Sequence, residues 1–365
     1  MKRNIYKNCK VGGKICDLEV TNGKFSAIGK LRGDGIDLGG AEVFPGLVDI
    51  HTHGSLGRCL VTDDKDELKE SLCIISEYFA NSGVTTWYPT TTVPAERLSV
   101  FDEIDLDAIN GANMPGIHLE GPYISPKKPG AIPLWSMRLP KVSEVKGNEK
   151  IKYITIAPEL DGAMDFIREL SGDVKFSIGH TCADYDTAIE AINAGADCLN
   201  HTFNALPPLN HREPGPIGAG MEMGIYAEAI SDGVHLHPSV IKMLYRVFGK
   251  ERMILVSDSV SVSGLPDGQY TGEGRVRIIK DSIIRNENGN LAGSWCNLFE
   301  DVRRTVRFGI PREDVYYMAS TTPAEYMGLN KGKIEVGYDA DFIVVTPDDE
   351  LLKTVIDGEI FFEKN

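Results

Sequence analysis

Positive charge, histidine and long apolar runs are all scarce in this chain. Its 365 residues include 38 Lys and Arg against 53 Asp and Glu, a formal net charge of −15, and only 8 histidines. That balance argues against a nucleic-acid or anionic-membrane partner, since either would favour a basic patch. The longest apolar stretches, such as AEVFPGLVDI, fall well short of the roughly 20 residues a membrane-spanning helix needs. The first residues, MKRNIYKNCKVGG, carry basic groups with no apolar run behind them, so no signal peptide is expected. The 7 cysteines are an odd number and contain no CxxC pair. They are expected as reduced thiols buried like small hydrophobes, in a cytoplasmic protein.

What is present is ordinary globular composition, 42% hydrophobic and 25% charged, long enough for one large domain and a small one. From about residue 43 to about 325, apolar β-branched segments alternate with helical patterns. The strand-like segments are EVFPGLVDI, GVTTWYPTT, MPGIHLE, YITIAPE, VKFSIGH, DCLNHTF, YAEAISDGV and MILVSDS. Between them lie DELKESLCIISEYFANSG, AERLSVFDEI, GAMDFIREL, DYDTAIEAINAG and PSVIKMLYRVFG, several closed by glycine as helix C-termini commonly are. Eight strands with intervening helices predict an α/β fold, a (β/α)8 TIM-type barrel over residues 45–329. Residues 1–44 and 330–365 break the rhythm with short alternating pieces and Asn-Gly turns. Neither end has a core of its own, so the two are expected to pair into one small β-sandwich domain. A β-hairpin insertion is expected near 265–292, beside the site.

The metal-competent residues fall at the strand ends. His51 and His53 close the first predicted strand, Glu120 the third, His180 the fifth, His201 the sixth and Asp258 the eighth. In such a barrel the C-terminal ends of all strands meet at one face, so residues far apart in sequence converge. Neutral imidazole nitrogen and carboxylate oxygen suit zinc, iron, manganese and cobalt alike, so the ligand set leaves the metal open. Glu120 can bridge two ions through its two oxygens, and Asp258 can both touch a metal and accept a proton from its water. HxH alone carries little weight, because HLH recurs at 235–237. The joint placement carries the reading.

Together with these residues, PGLVDIHTHG (45–54), GIHLEGPYISPKKPGA (116–131), IGHTCAD (178–184), NHTFNALPPLNHREPG (200–215), SDGVHLHP (231–238) and VSDSVSVSG (256–264) make the chain resemble the amidohydrolase superfamily. Within it, the resemblance is to the N-acetylglucosamine-6-phosphate deacetylases, and it runs nearly end to end through LAGSWCNLFEDVRRTV (291–306) and TTPAEYMGLNKGKIEVGYDADFIVV (321–345). The resemblance implies hydrolysis of an acetamido group on a phosphorylated amino sugar by water activated at one or two divalent ions, with zinc or iron foremost. His180, His201 and Glu120 would hold one ion. His51 and His53, with or without Asp258, would hold a second bridged by Glu120. Asp258 would be the catalytic proton carrier. Asn204, Ala205, His211 and Arg212 would bind phosphate, His235 the sugar, and Arg212 would reach the neighbouring site of a homodimer.

One position departs from the family pattern. Where a histidine usually polarises the acetyl carbonyl, this chain has Ile132, which can neither donate a hydrogen bond nor carry charge. The second ion could take over that task, the substrate could differ, or the activity could be lost. Hydrolysis of another N-acyl or cyclic amide is therefore an alternative, although YITIAPEL (153–160) lacks the lysine that many such enzymes carboxylate. A non-catalytic sugar-phosphate-binding relative is a second alternative, and one that has no need of six metal-competent residues.

Overall fold

The computed structural model describes residues 2–92, 98–272 and 275–364; positions 1, 93–97, 273–274 and 365, which fall within the expected domains, the expected helix AERLSVFDEI and the expected insertion, lie outside the described residues. Eight strands form the larger sheet in sequential order: β1 (Leu47–Thr52), β2 (Val84–Thr91), β3 (Ile117–Glu120), β4 (Ile151–Ile156), β5 (Lys175–Ile178), β6 (Cys198–Leu199), β7 (Tyr226–Ile230) and β8 (Met253–Val256). Every pairing along it is parallel. β1 and β2 are buried at every position, as strands of a parallel sheet covered on both faces are.

The barrel closes through a parallel bridge between Thr52, the last residue of β1, and Ser259, just beyond the end of β8. There the Asp258 amide donates to the His51 carbonyl at 2.9 Å and the His53 amide to that of Ser259 at 2.7 Å. The seam therefore lies among the candidate ligands and fixes their backbone.

Helices follow the strands where expected. Lys65–Ala80 is capped by the Asp64 carboxylate and buries Leu68, Leu72, Ile75 and Phe79 along one stripe. Tyr185–Ala194 is capped by Asp184 and ends at Gly195, and His237 caps Pro238–Phe248 through its ring nitrogen. In AERLSVFDEI the described helix is a single turn, Ser99–Asp102, with no side-chain cap, and an Asx turn at Asp105 follows it.

The two chain ends build one further eight-stranded sheet, in the order Glu359–Glu363, Leu351–Ile356, Phe342–Val345, Glu42–Pro45, Arg3–Val11, Lys14–Thr21, Lys24–Gly29, with Ile36–Asp37 beside Arg3–Val11. A bridge from Lys24 to Asp339 brings its far edge back to the C-terminal segment. Tyr6, Leu18, Phe25, Phe342 and Val355 form its core, with the Tyr6 and Phe342 rings edge to face at 5.0 Å. Each end thus supplies what the other lacks.

The insertion after β8 is a three-stranded antiparallel sheet, Gly268–Gly272, Arg275–Lys280 and Ile283–Asn286, where a single hairpin was expected. Asp281 and Ser282 both hold positive φ and make the tight turn between its last two strands. Its root packs Ile279 and Ile284 against Val260 and Val262 of the segment after β8.

Candidate metal centre

Glu120 ends β3, His51 lies inside the end of β1 and His53 one residue past it, while His180, His201 and Asp258 each stand two residues beyond β5, β6 and β8. Those last three hold φ of 45°, 21° and 45°. Non-glycine residues rarely adopt this left-handed conformation, and it persists only where the surroundings over-determine it. Three turns of this kind in one site bring the side chains together around Glu120.

Glu120 is the hub. Its Oε1 lies 3.0 Å from His180 Nε2, 2.9 Å from His201 Nε2 and 3.4 Å from His51 Nε2, and its Oε2 lies 3.1 Å from His53 Nε2. Asp258 Oδ1 is 3.6 Å from His51 Nε2 and 3.5 Å from His53 Nε2. Two three-residue groups able to hold a metal result, His51–His53–Glu120 and Glu120–His180–His201, sharing the one carboxylate. Burial pushes the Glu120 carboxyl up, but His180 and His51 beside it outweigh that and hold it well below the usual carboxylate range.

Hydrogen bonding from behind sets which ring nitrogens face the centre. His180 Nδ1 lies 2.8 Å from the Lys128 carbonyl, and His51 Nδ1 lies 3.0 Å from Glu228 Oε2. A carbonyl can only accept, so His180 Nδ1 carries the proton and in the neutral ring Nε2 presents a lone pair. His180 and His201 Nε2 are 3.0 Å apart. Lone pairs converging at that spacing on a carboxylate repel one another unless a cation lies among them, and two nitrogens on a tetrahedral zinc would be about 3.3 Å apart. The donor set fits a divalent ion.

Glu228 supports two of the histidines at once. Fully buried in β7, it faces His51, takes the His201 backbone amide at 3.0 Å and accepts from the Tyr153 hydroxyl at 2.6 Å. His118 is not in the ligand groups. Its ring is wedged between Thr155 and Thr90 hydroxyls at 2.8 and 3.1 Å, and burial, reinforced by the charge of His51, holds its pKa well below the ordinary value. It is a neutral packing group under the site.

Asn204, Ala205, His235 and Ile132 line the same cleft as Glu120 and Asp258. His235 Nδ1 pairs with Asp232 Oδ2 at 2.7 Å, leaving Nε2 for the cleft. Burial opposes charge on this imidazole, but Asp232 outweighs it and the pKa rises. His211 and Arg212 are exposed and are not among the cleft-lining residues of their own chain. Three residues that sequence inspection passed over belong here: Glu228, Arg275 and Arg277. A glutamate inside the apolar strand YAEAI, and the alternation RVRI in the insertion, were the available signals.

The amidohydrolase family model matches residues 43–361. N-acetylglucosamine-6-phosphate deacetylase of Vibrio furnissii is 37% identical over 362 residues, covering 94% of this chain and 89% of that protein. The enzyme of that name from Bacillus subtilis (strain 168) is 34% identical, covering 88% of this chain and 84% of its own. Among solved structures, an aspartate-to-alanine variant of the Mycobacterium smegmatis deacetylase in complex with N-acetyl-D-glucosamine-6-phosphate superposes with a TM-score of 0.89 at 28% identity, over 99% of this chain and all of that one. This chain belongs to the amidohydrolase family and stands among the N-acetylglucosamine-6-phosphate deacetylases within it.

Proposed function

We propose that this protein hydrolyses the acetamido group of an N-acetyl-hexosamine 6-phosphate, foremost N-acetylglucosamine 6-phosphate, to acetate and the amino sugar phosphate. The observation that carries the reading is the convergence of four histidines on Glu120, with Asp258 within 3.6 Å of two of them.

His180, His201 and Glu120 would hold one divalent ion, and His51 and His53, with Asp258 at the edge, a second. Zinc or iron suits these donors best, with manganese or cobalt acceptable. When bound, such an ion supplies a water of lowered pKa and a Lewis acid for the amide carbonyl. The chain's own residues do the rest. Asp258 accepts the proton of the attacking water and returns it to the amine nitrogen, which leaves poorly until protonated. His235 Nε2 donates to the sugar, with Asp232 holding the ring in place. Asn204 and Ala205 bind at the phosphate end. Ile132 offers no donor to the carbonyl, so polarisation rests on the metal side of the cleft.

Exposed His211 and Arg212 support a homodimer in which Arg212 of the partner subunit completes the phosphate site, its planar fork suiting phosphate oxygens. All seven cysteines are free thiols, which supports a cytoplasmic location.

Acetate release from the two acetylated sugar phosphates, gluco and galacto, measured beside metal content, tests the reading. Release that a chelator stops and added metal restores is expected. Metal-loaded protein that releases no acetate from either epimer would overturn it.

A further inference from the structure

The strand order divides the lining of the cleft into two arcs. His180, His201, Asn204, Ala205 and His235 lie on the segments after β5, β6 and β7. The rest of the described lining comes from β3 and the segments after β8, β1, β2 and β3. These are contiguous because the barrel closes between β8 and β1. Among the described lining residues, all those with large apolar side chains, Val61, Ile132, Val260 and Leu291, fall on this second arc.

The apolar wall is built into the fold. Val260 is 7% exposed and packs in the root of the insertion beside Val262, Ile279 and Ile284. Gly293, at φ 91°, comes so close to Val260 that a Cβ there would lie 2.2 Å from its Cγ1. Ile132 is also 7% exposed, and its amide donates to the Pro129 carbonyl at 2.9 Å. Val61 and Leu291 are half-buried, so the wall keeps an apolar face open to the cleft. The two arginines of this arc are engaged within the chain, Arg277 with the Ser261 hydroxyl at 3.0 Å and Arg275 with the Ala131 carbonyl at 2.6 Å. Apolar surface of this kind favours a ligand group that is itself apolar and displaces water from it.

An amide carries its two substituents on opposite sides of the C–N bond. With the sugar held at His235 and Asn204 and the amide beside Glu120 and Asp258, the acyl chain crosses to the second arc. We propose that this arc is the acyl pocket, and that its wall of Val61, Ile132, Val260 and Leu291 extends the activity to N-acyl groups longer than acetyl, namely N-propionyl and N-butyryl hexosamine 6-phosphates. The proposal rests on the deacetylase reading. The chemical step is unchanged: the water oxygen bonds to the acyl carbon, the C–N bond breaks, the amine leaves with a proton, and the acid leaves as propionate or butyrate in place of acetate. Each methylene that the wall buries is worth about fourfold in binding.

Release of glucosamine 6-phosphate, the product common to every acyl group, is the assay. Metal-loaded wild-type protein should turn over the N-propionyl and N-butyryl substrates with kcat/KM at least a tenth of that for N-acetyl. Ile132→Asn should lower the propionyl-to-acetyl ratio by about 4- to 10-fold, and Val61→Thr, which keeps the shape and adds a hydroxyl, should move it in the same direction. In Asp258→Asn, calorimetry reads the wall without turnover, and the N-propionyl substrate should bind more tightly than the N-acetyl one. Hydrolysis of the N-acetyl substrate with both longer ones below a tenth of it would overturn the proposal and leave the deacetylase reading standing. A ratio unmoved in both variants would likewise overturn it. Release from none of the three would overturn the deacetylase reading and this proposal with it.

Discussion

His51 Nδ1 lies 3.0 Å from Glu228 Oε2, and both side chains are closed to solvent. The same oxygen takes the backbone amide of His201. One carboxylate therefore orients a histidine of each candidate metal group. Such partners fix ring orientation and raise ligand basicity, and losing one typically costs about 10- to 100-fold in metal affinity. Glu228→Gln keeps the shape and an oxygen for Tyr153 but loses the charge. Competition against a chelator should show that loss for both ions, with the fold intact by circular dichroism. Wild-type affinity in this variant would show that Glu228 only fills space.

The barrel is legible in the sequence because parallel strands buried on both faces read as short apolar β-branched runs, and a polar residue ending such a run stands out. Thus His51, Glu120 and Asp258 can be placed at strand ends from the residue pattern alone. Glu228 cannot, because it lies inside YAEAI and faces His51 only through strand order and closure of the barrel, which are long-range pairings. The insertion arginines show a subtler limit. The alternation RVRI is plain in the sequence, but the packing of Ile279 against Val260 decides which face turns inward. The left-handed turns at His180, His201 and Asp258 are likewise imposed by tertiary contacts, since no glycine occupies those positions.

Asp258 is the test of proton transfer. Replacing it by Asn keeps the volume and removes the base, and general acid–base catalysis is commonly worth about 10²- to 10⁴-fold. Asp258→Asn should lose acetate release on that scale while the ion at Glu120, His180 and His201 stays bound. Metal analysis run beside initial rates separates a lost base from a lost ion. A rate within threefold of wild type (~0.6 kcal/mol in barrier) would move the proton elsewhere.

Ion stoichiometry follows from the two groups that share Glu120. His53 belongs to one of them alone. In metal-replete protein, His53→Ala should lower the content from about two ions per chain to about one, the remaining ion held by three ligands as catalytic sites commonly do. A wild-type chain that saturates at one ion would refute the bridged pair.

The Asp232–His235 pair sets a pH dependence. The net shift of His235 is upward, through Asp232 and against burial, and that of Asp232 is downward, with His235 and its backbone amide outweighing burial. The raised histidine contributes stability that is complete below its ordinary value near 6.5 and disappears as pH rises through the folded-state value. The lowered aspartate contributes stability present above its ordinary 3.8 and lost as pH falls through its folded value. The pair is therefore most stabilising between those limits. Asp232→Asn should lower the His235 pKa, read by NMR titration of the ring proton, and should flatten the stability profile on the alkaline side. An unshifted titration would show that the 2.7 Å contact carries no charge.

Arg212 is exposed on its own chain and lies off its own cleft, so its proposed role in phosphate binding requires a second subunit. In a closed two-fold dimer each site would pair its own Asp258 with Arg212 of the partner subunit. Arg212→Ala and Asp258→Asn should then each cripple the homodimer, the first mainly in KM and the second in kcat. Mixed after dissociation and reassociation, half the dimers are heterodimers, and in each of these one site regains both groups. Activity should recover to about a quarter of wild type. If Arg212 acted within its own chain, every heterodimer would hold one site lacking Arg212 and one lacking Asp258, and mixing would recover nothing. Recovery on mixing thus reports both the dimer and the direction in which Arg212 reaches, and sedimentation of the same samples checks that subunits exchanged.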